Sequence, residues 1–588
     1  MIYCIGHNII SPLGFTSEAN YEAVVNGHSA LRLHEGTFDL PEPFFGSVID
    51  DDSLENAIAP YLKNNIFPLT KIEKMLILSV IKANDNANID LCDKRTAFVI
   101  STTKGNVSYL SENNNDDKIF LWHTAEMVCR FFGNCNEPLV ISNACISGAA
   151  AQMEALRLIE NGIYDNVVVT GADVLSKFII SGFQSFKALS SERCQPFDRD
   201  RKGLNLGEAS ATMIFSAKKT PTATTALRKA SVRNDARHIS APSIEAEGLY
   251  NALSDITEDI DINDISFINA HGTATIYNDE MEALALNRTG MQHIPVNSLK
   301  AYFGHTLGAA GIVESILSAM ALDKGTILKS EGCINTGAKH EIHPVLTTIQ
   351  CSKRYFIKMI SGFGGSNAAL LFENVRDKDN QPVIKNCRCQ NLRIISTGIL
   401  SDNKLIINDK EIHIENLAPN IPDSIYRSMK ISYPKYFKMD MLSKVGFIVS
   451  ELMLRDAGFD IETKKKEMAI ALFNSSASSD DDIAYLESIK DKDSYYPSPS
   501  IFVYTLPNIV AGEIAIRNKI LGETSFFISK NYNPQMIYQQ VCNIMSKPST
   551  KYILCGWCEY FKGHYDVRLM IVTKDSEKGI LFNTNNIL

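Results

Sequence analysis

A cysteine at the junction of an apolar run and a helical pattern is the first candidate for chemistry in this sequence. Cys145 stands in VISNACISGAAAQ, residues 140–152, among Ser, Ala and Gly. The dipole and free N–H groups of a helix start favour a thiolate, so the position predicts a lowered pKa for this thiol. Small neighbours would let a thioester reach the sulfur and leave N–H groups available to an oxyanion. A buried structural cysteine fits the same motif, which alone favours neither interpretation.

Two histidines and a glycine-rich turn strengthen the catalytic interpretation. His271 ends the apolar run ISFIN in NAHGTATIYND, and His305 lies in NSLKAYFGHTLGAAG. A lone histidine in such a place is more often a core residue, but two of them with a nucleophile-like cysteine predict an active site. Glycines surround Phe363 in SGFGGSNAALLFE, which predicts an aromatic side chain that moves at a pocket mouth. The GxGxxG and Walker spacings are missing, so this turn does not predict a phosphate loop.

Alternating strand and helix patterns predict the elements that position these residues. Short β-rich runs such as RTAFVIST, PLVISNA, DNVVVTGAD and AALLFEN alternate with helical patterns such as KIEKMLILSVIKAN and AAGIVESILSAMALDKG. This alternation predicts an α/β fold with buried sheets. After residue 375 the chain becomes charged, contains proline and loses its periodicity, so we predict a linker at 376–390.

The segment beyond this linker repeats the patterns of the first segment in the same order. KMLILSVIKANDNANID is echoed by KVGFIVSELMLRDAGFDI, EPLVISNAC by TSFFISKNY and VVVTGAD by YILCGWCE, at an offset of about 370–390 residues. In this register Tyr532 stands opposite Cys145. A tyrosine, with a pKa of about 10, is a poor acyl acceptor at neutral pH. Nothing after residue 560 resembles the segment that comes after Gly171, so we predict a single inactive half-domain over 391–588.

The composition excludes several classes of protein. The chain has 588 residues, 45% hydrophobic and 21% charged, as expected of a soluble protein with two or more domains. A net charge of −9 argues against a general nucleic-acid binder.

The N-terminal MIYCIGHNIISPLG lacks the features of a signal peptide, and no apolar run approaches the roughly 20 residues of a membrane span. The 13 cysteines lack the spacing of a disulfide framework, so we expect a cytoplasmic protein with reduced thiols. The lone pair Cys555 and Cys558 is better explained by packing than by a zinc or redox site.

Five motifs in order resemble the signature of the β-ketoacyl-ACP synthases. They are NACISGAAA, PFDRDRKGLNLGEAS, NAHGTATIYNDEMEA, VNSLKAYFGHTLGAAGIVE and SGFGGSNAA, most similar to the elongating, Cys-His-His type of the thiolase superfamily. The resemblance covers residues 1–375 and implies a thiolase-like fold, layered α-β-α-β-α, with duplicated half-domains. It implies an N-terminal half with the nucleophile, 1–230, and a C-terminal half with both histidines, 231–375. Residues 391–588 resemble a second ketosynthase N-terminal half.

The resemblance implies a decarboxylative Claisen condensation between an acyl thioester and malonyl-ACP. Cys145 matches the nucleophile that accepts the acyl chain, whereas His271 and His305 match the pair that bind the malonyl thioester and promote loss of CO₂. The backbone N–H groups of Cys145 and Phe363 match the oxyanion donors, and Phe363 also matches the gating aromatic residue. No metal and no free cofactor are implied, because loss of CO₂ drives the reaction and phosphopantetheine arrives on acyl carrier protein.

The resemblance also assigns supporting residues. Lys300 matches a lysine that orders the site, and Glu314 matches its acidic partner. Asp198 and Arg201 match a paired couple in a structural loop. Thr273 and Thr275 match residues that bind pantetheine. The matches to the basic surface that docks carrier protein are Lys71, Lys74 and Arg201. Glu73 interrupts the expected run of basic residues. The sequence departs mildly from the family pattern, with GEAS for GEGA and GFGGSN for GFGGTN.

The role of residues 391–588 and the oligomeric state of the protein both leave alternatives open. By analogy with the chain-length factors of type II polyketide systems, residues 391–588 would occupy a partner-like surface and shape the acyl tunnel; otherwise they form a stabilising or docking appendage. The family implies a homodimer, or a heterodimer with another ketosynthase-like subunit.

Two other functions compete with a condensing enzyme. A thiolase would need a second catalytic cysteine near SGFGGSN, which has none, and a non-catalytic chain-length factor or scaffold should have lost Cys145 or a histidine. We therefore expect a condensing enzyme of fatty acid, aryl polyene or polyketide biosynthesis, with the chain length left open.

Overall fold

A computed structural model describes residues 1–63, 67–111, 116–375, 391–415, 417–429, 431–491 and 495–588. The predicted linker, 376–390, lies outside the described residues. Among the described residues, no single helix has the length and apolar character to cross a bilayer. One pair of helices, Pro499–Thr505 and Ile509–Asn518, meets both criteria together but is bent by 101°.

The first 375 residues contain sixteen strands and ten α-helices among the described positions. The strands are β1 (Ile2–Ile10), β2 (Arg32–His34), β3 (Phe44–Ser47), β4 (Thr96–Ser101), β5 (Leu139–Ile141), β6 (Asn166–Asp173), β7 (Leu206–Gly207), β8 (Ala209–Ser216), β9 (Thr225–Asn234), β10 (Ile265–Asn269), β11 (Pro295–Asn297), β12 (Thr326–Ile327), β13 (His343–Pro344), β14 (Ile349–Gln350), β15 (Tyr355–Gly362) and β16 (Ser366–Asn374). The helices are α1 (Ser17–Val25), α2 (Asp51–Ile58), α3 (Lys71–Ala87), α4 (Leu121–Phe131), α5 (Ser147–Glu160), α6 (Lys177–Ser185), α7 (Glu247–Thr257), α8 (Ile276–Arg288), α9 (Lys300–Phe303) and α10 (Ala310–Asp323).

The described part of 391–588 adds eight strands and six helices. The strands are β17 (Arg393–Ser401), β18 (Lys404–Ile407), β19 (Lys410–Ile412), β20 (Met468–Asn474), β21 (Thr524–Ile528), β22 (Tyr552–Phe561), β23 (His564–Thr573) and β24 (Ile580–Leu581). The helices are α11 (Ile421–Ser428), α12 (Met441–Asp456), α13 (Ser479–Ile489), α14 (Pro499–Phe502), α15 (Ile509–Asn518) and α16 (Pro534–Met545).

The first sheet has the order β5, β4, β6, β8, β1. β4 is parallel to β5 and β6, whereas β8 is antiparallel to β6 and to β1. Every residue of β4 and β8 is buried, because helices cover both faces of the sheet. This double burial explains the uninterrupted apolar runs from which these strands were predicted.

A second sheet completes a five-layered arrangement. Its order is β9, β16, β15, β10, β11, and α5 and α10 lie between the two sheets. Helix α3 covers the outer face of the first sheet, and α7 covers the outer face of the second. The predicted α-β-α-β-α fold is therefore confirmed. The division predicted after residue 230 falls inside β9, which pairs with both β1 and β16, so one strand serves both sheets.

Residues 391–588 build a third sheet with the order β21, β20, β22, β23, β17. This is the order of the first sheet, strand for strand. The sequence comparison found nothing after residue 560 like the segment after Gly171, but the structure shows a counterpart there, because β23 joins β22 to β17 as β8 joins β6 to β1. The half-buried sequence of β23, HYDVRLMIVT, differs from the fully buried ASATMIFS of β8, which hid this part of the repeat.

The two parts of the chain join edge to edge. β21 pairs antiparallel with β5, with Phe527 opposite Ile141 and Ile528 opposite Val140, so the first and third sheets form one continuous sheet. The side chain of Asn143 extends this pairing, because its Nδ2 donates to Thr524 O at 2.8 Å and its Oδ1 accepts from Phe526 N at 2.9 Å.

The third sheet has no second sheet against it among the described residues, and the C-terminal tail covers part of its inner helix. Phe582, Ile587 and Leu588 belong to the same apolar cluster as the buried residues of α16, and the ring of Phe582 stacks on Tyr538 at 5.3 Å.

Candidate active site

Cys145 lies in a strained turn between β5 and α5. A single 3₁₀ turn, Ala144–Ile146, separates strand and helix, and Ala144 has a left-handed φ of 48° although it is fully buried. The Ser147 hydroxyl holds this turn by accepting from Asn143 N at 2.8 Å and donating to Ala144 O at 2.6 Å. Such strain in a buried residue is typical of functional sites, where it aims a side chain. The predicted location of the thiol at a helix start is therefore correct.

The prediction of a lowered thiol pKa is wrong. Burial raises the pKa of Cys145 to about 12, and the nearby Lys300 ammonium only partly opposes this rise. Protein atoms surround the thiol, although part of its surface remains accessible inside a cavity. Removal of the thiolate from water is thus the largest influence on this pKa, larger than the opposing effects of Lys300 and of the backbone hydrogen bond at Cys145.

The two histidines lie beside the cysteine. One ligand-type atom each from Cys145, His271 and His305 lies within 4.8 Å of the others, and the imidazole centroids are 5.0 Å apart at an interplanar angle of 80°. Close packing of α5 on α10 makes this approach possible, because a Cβ on Gly311 would lie only 2.6 Å from Ala149 N. The predicted juxtaposition of the three side chains is present in the structure.

Buried partners fix the backbone at both histidines. The carboxylate of Glu282 on α8 accepts from His271 N at 2.6 Å and from Gly272 N at 2.8 Å. His305 N donates to Asn205 O at 2.7 Å, in the loop before β7. The sequence analysis missed Glu282, whose role depends on the turn between β10 and α8.

The protonation of His305 follows from one backbone hydrogen bond. Leu307 N donates to Nδ1 of His305 at 3.2 Å, so Nδ1 carries a lone pair and the proton of the neutral ring lies on Nε2. Burial, followed by the charge of Lys300, lowers the pKa of both His271 and His305 well below its ordinary value. Nε2 of His305 has no hydrogen-bond partner among the described residues. This nitrogen is therefore suited to donate to a substrate oxygen, and less suited to bind a metal ion.

A buried carboxylate with two lysines lies next to the histidines. Glu314 on α10 forms ion pairs with Lys300 and, at 2.6 Å, with Lys358. Although burial opposes it, the two ammonium groups keep the pKa of Glu314 below its ordinary value. Lys358 also donates to Ala270 O at 3.2 Å, directly before His271, and burial lowers the pKa of Lys358 to about 8. Lys300 and Glu314 pair as the resemblance implied, whereas Lys358 was missed because it lies in the apolar strand YFIKMISG.

A cavity of about 430 Å³ gives access to the three side chains. Thr273 and Thr275 line it and share a hydrogen bond of 2.9 Å between their hydroxyls. Phe363 also lines it, and the glycine-rich turn passes close to the nucleophile, because a Cβ on Gly362 would lie 3.2 Å from Cys145 N. Thr273, Thr275 and Phe363 therefore line the same cavity as Cys145, His271 and His305.

The expected ion pair between Asp198 and Arg201 is absent from the part of the chain that the structure describes. The Asp198 carboxylate accepts from the backbone N–H groups of Asp200, Ile334 and Asn335 at 2.7–2.8 Å. Arg201 donates instead to the Asp198 carbonyl at 2.8 Å and pairs with Glu280 at 3.0 Å. Both residues are buried and order the loop, but through the backbone and through α8.

The predicted basic docking patch is not supported by the contacts of its members. Arg201 is only 6% exposed, so its assignment to a docking surface is wrong. Lys71 pairs with Asp51 at 2.8 Å and with the buried Glu208 at 2.9 Å. Lys74 pairs with Glu55 at 2.5 Å. Carboxylates therefore compensate the charge of both lysines.

Residues of the C-terminal part reach the neighbourhood of Cys145. A small apolar pocket of about 20 Å³ is lined by Cys145 and Phe363 from the first part and by Phe502 and Leu506 from the second. Gly182 on α6 makes room for Phe502, because a Cβ there would lie 2.2 Å from its ring. The segment that carries Phe502 has no counterpart among the predicted motifs, so no sequence signal pointed to it.

The position opposite Cys145 in the repeat is occupied by a tyrosine. Tyr532 follows β21 and precedes α16, as Cys145 follows β5 and precedes α5. Burial raises the pKa of Tyr532 to about 12, and the ring packs against Trp557 at 5.8 Å. Cys555 and Cys558 are buried on β22 and belong to different apolar clusters, which agrees with the packing role predicted for them.

Family models and curated proteins resemble the first part of the chain. The model described as Beta-ketoacyl synthase, N-terminal domain, matches residues 2–220, and the one described as Beta-ketoacyl synthase, C-terminal domain, matches residues 224–333. A 3-oxoacyl-[acyl-carrier-protein] synthase 2 of Staphylococcus aureus is 30% identical over 247 residues, 39% of this chain and 61% of that protein. The chain thus spans about three fifths of the length of the curated relatives it matches.

Solved structures share the fold of one or both parts. A ketosynthase in complex with its chain length factor, from Xenorhabdus doucetiae, has a TM-score of 0.55 and 24% identity, covering 63% of this chain and 98% of that chain. A structure titled PfaC Keto synthase-Chain length factor has a TM-score of 0.77 and 13% identity, covering 98% of this chain and 78% of that chain. At these identities the likeness concerns the fold alone, and in the second structure it extends over both parts of this chain.

Proposed function

The chain belongs to the β-ketoacyl synthase family, and from this premise we propose that residues 1–375 catalyse the decarboxylative Claisen condensation of an acyl thioester with malonyl-ACP. The observation that carries the proposal is the meeting of Cys145, His271 and His305 within 4.8 Å at one accessible cavity. No free cofactor takes part, because acyl carrier protein supplies the phosphopantetheine thioesters.

The reaction starts with acyl transfer to Cys145. The sulfur attacks the carbonyl carbon of the acyl thioester, the carbon–sulfur bond to pantetheine breaks, and the thiol proton ends on the departing pantetheine sulfur. The backbone N–H groups of Cys145 and Phe363 stabilise the tetrahedral oxyanion. Because burial raises the pKa of the Cys145 thiol, we place proton removal in the same step as attack.

Condensation follows at the same place. The malonyl thioester oxygen accepts hydrogen bonds from the neutral imidazoles, the bond to the carboxylate breaks, and its electron pair forms an enolate as CO₂ leaves. The enolate carbon then attacks the acyl carbonyl on Cys145, and the carbon–sulfur bond breaks to release the β-ketoacyl thioester. The electron pair returns to the Cys145 sulfur, which takes a proton from solvent to restore the thiol. The proton on Nε2 of His305 supports this donor role.

Acylation and product formation in one assay test this proposal. The protein is incubated with acyl-ACP and malonyl-ACP, and mass spectrometry follows acylation of residue 145 and the β-ketoacyl product. Cys145→Ala should abolish elongation but leave malonyl decarboxylation measurable, whereas Cys135→Ala, at an exposed free cysteine, should change neither. Elongation by the Cys145→Ala variant would refute the assignment.

We further propose that residues 391–588 act as a non-catalytic, chain-length-factor-like module. Their β21 occupies the edge of β5, and their Phe502 and Leu506 close the apolar pocket next to Cys145. The pocket holds about one water molecule, so an acyl chain enters only when aromatic side chains move. Occupation of the β5 edge within the chain also removes the need for a second ketosynthase-like subunit at that edge.

Product length distinguishes this module from a merely stabilising appendage. Phe502→Ala should enlarge the pocket and lengthen the products by two or more carbons, as measured by mass spectrometry of the acyl chains. Phe437→Ala, at an exposed phenylalanine of the same part, is the matched control. If Phe502→Ala lowers stability without changing product length, the appendage interpretation holds instead.

A further inference from the structure

Phe363 separates the two cavities beside Cys145. Its side chain lines both the cavity of about 430 Å³ and the apolar pocket of about 20 Å³. The ring contacts Phe186 at 5.5 Å, and Phe186 in turn lies 6.1 Å from Phe502. Cys145 and Phe183 line both cavities as well, so Phe363 lies beside the path of an acyl chain that extends from Cys145 into the apolar pocket.

The C-terminal part holds the backbone at this residue. Asn508 Nδ2 donates to Phe363 O at 2.9 Å across the junction between the two parts. Asn508 is 2% exposed, and its Oδ1 is buried without a hydrogen-bond partner among the described residues. A buried acceptor without a partner is unfavourable, so Oδ1 does not explain an asparagine at this position. The hydrogen bond from Nδ2 to the Phe363 carbonyl does explain it.

The glycine-rich turn also packs directly on the start of α15. A Cβ on Gly364 would lie 2.6 Å from Nδ2 of Asn508, and a Cβ on Gly512 would lie 2.8 Å from Gly364 O. On its other side the turn is bonded to the catalytic part, through Gly364 N to Ile239 O at 2.6 Å. Both parts therefore hold this turn, and the Phe363 carbonyl is where a side chain of the second part binds the residue that lines both cavities.

We propose that Asn508 is a positioning residue through which the C-terminal part holds Phe363 across the entrance of the acyl pocket. The inference rests on the proposed function and extends it: the module sets how readily a long acyl chain enters, besides closing the far end of the pocket. Loss of the Asn508 amide frees the Phe363 carbonyl, and the aromatic ring then turns away more readily.

The test compares acylation of Cys145 by acetyl-pantetheine and octanoyl-pantetheine, followed by intact-protein mass spectrometry. In Asn508→Ala the octanoylation rate should rise about fivefold, the factor that corresponds to one ordinary hydrogen bond. The acetylation rate should stay within about twofold, because an acetyl group does not need the pocket. Asn508→Leu, which keeps the volume and removes the unpaired Oδ1 together with the donor, is the second variant should the alanine variant fold poorly.

A double-mutant cycle separates positioning from general loosening of the structure. Phe363→Ala should raise octanoylation by itself, and adding Asn508→Leu to it should have no further effect. Asn543→Leu is the matched control, because buried Asn543 accepts from Asn161 at 2.8 Å across the same junction without contact to the turn. This control should leave the ratio of octanoylation to acetylation unchanged.

Three results would overturn the inference. They are an unchanged ratio in the folded Asn508 variants, an Asn508→Leu effect that persists in the Phe363→Ala background, and an equal rise in Asn543→Leu. If the native protein accepts neither acyl group, the proposed function itself fails and this inference with it. Normal acetylation with an unchanged ratio would overturn the inference alone.

Discussion

At the scale of single residues, one residue with a strained backbone lies close to Cys145 and another lies close to His305. Leu307, whose N–H fixes the proton on Nε2 of His305, has a left-handed φ of 50°, and Ala144 before the nucleophile has 48°. Such conformations are unfavourable for residues other than glycine and persist where surrounding structure enforces them. These two strained residues position Sγ of Cys145 and Nε2 of His305 at the same cavity.

Replacement of the second histidine should separate the two half-reactions. His305→Ala should lower malonyl decarboxylation about 100-fold or more, because a preorganised donor to the enolate is lost. Acyl transfer to Cys145 should fall less than about tenfold, because other groups stabilise that oxyanion. Release of CO₂ and acylation of Cys145 are measured separately, with the exposed His293→Ala as control. Equal losses in both half-reactions would contradict the role given to His305.

Removal of the second buried lysine should change the pH dependence. Lys358 is among the charges that lower the pKa of His271 and His305, so both rings stay neutral to well below pH 6.5. In Lys358→Met these pKa values should rise, and decarboxylation should be lost at a higher pH as the solution is acidified. The acid limb of the CO₂-release profile measures the shift.

The control for this variant is Lys353→Met. Lys353 lies outside the site, where its ammonium donates to the Ile265 carbonyl at 3.3 Å. An acid limb that stays in place in Lys358→Met, or that moves to lower pH, would show that Lys358 does not keep the histidines neutral.

The residues that could be predicted from sequence are those with a distinctive local context. Cys145, His271 and His305 each follow a strand or a short helix and are flanked by small residues, and the structure brings them together. Lys358 could not be found in this way, because its burial depends on Glu314, which arrives from α10. The thiol pKa was predicted in the wrong direction, because a local motif contains no information about burial by distant segments.

At the scale of elements, β5 has only three residues but joins the two parts of the chain. It pairs with β4 on one side and with β21 on the other, and Asn143 extends the second pairing by two side-chain hydrogen bonds. The repeat predicted the strands of the third sheet, but not the edge at which they would pair. That choice depends on the unpaired β5 edge, which no local pattern reveals.

Loss of the Asn143 side chain should weaken this junction. Asn143→Ala should lower the free energy of unfolding by about 2 kcal/mol, because a backbone N–H and a carbonyl lose their buried partners. Urea unfolding followed by circular dichroism measures the change. Asn263→Ala, whose side chain bonds to Asp261 at an exposed site, is the control and should change stability by less than about 0.5 kcal/mol. Equal stability of both variants would show that the bridge contributes nothing.

At the scale of the whole molecule, the joined sheets resemble two subunits contained in one chain. Because β21 occupies the β5 edge, we expect a monomer near 65.2 kDa whose mass does not depend on concentration. Analytical ultracentrifugation from about 1 to 50 µM, a range that spans weak association, measures this. The resemblance implied a homodimer or heterodimer instead. If a chemical cross-link forms between β5 of two chains, the protein is a dimer through residues 1–375 and the predicted monomer is wrong.

The whole-molecule arrangement was the least predictable from sequence. The repeat indicated a second scaffold, with Tyr532 opposite Cys145. The position of Phe502 beside Cys145 follows only after α6, α14 and the β5–β21 junction are assembled, because it depends on contacts between segments more than 300 residues apart.

The β5–β21 junction has a consequence for how such a protein diversifies. In a symmetric dimer each interface residue appears twice, so one substitution alters two environments and has to suit both. In this chain a substitution at Phe502 or Asn508 occurs once, in the part to which we assign no chemistry. If residues 391–588 act as proposed, natural variation can change product length there while Cys145, His271 and His305 stay the same.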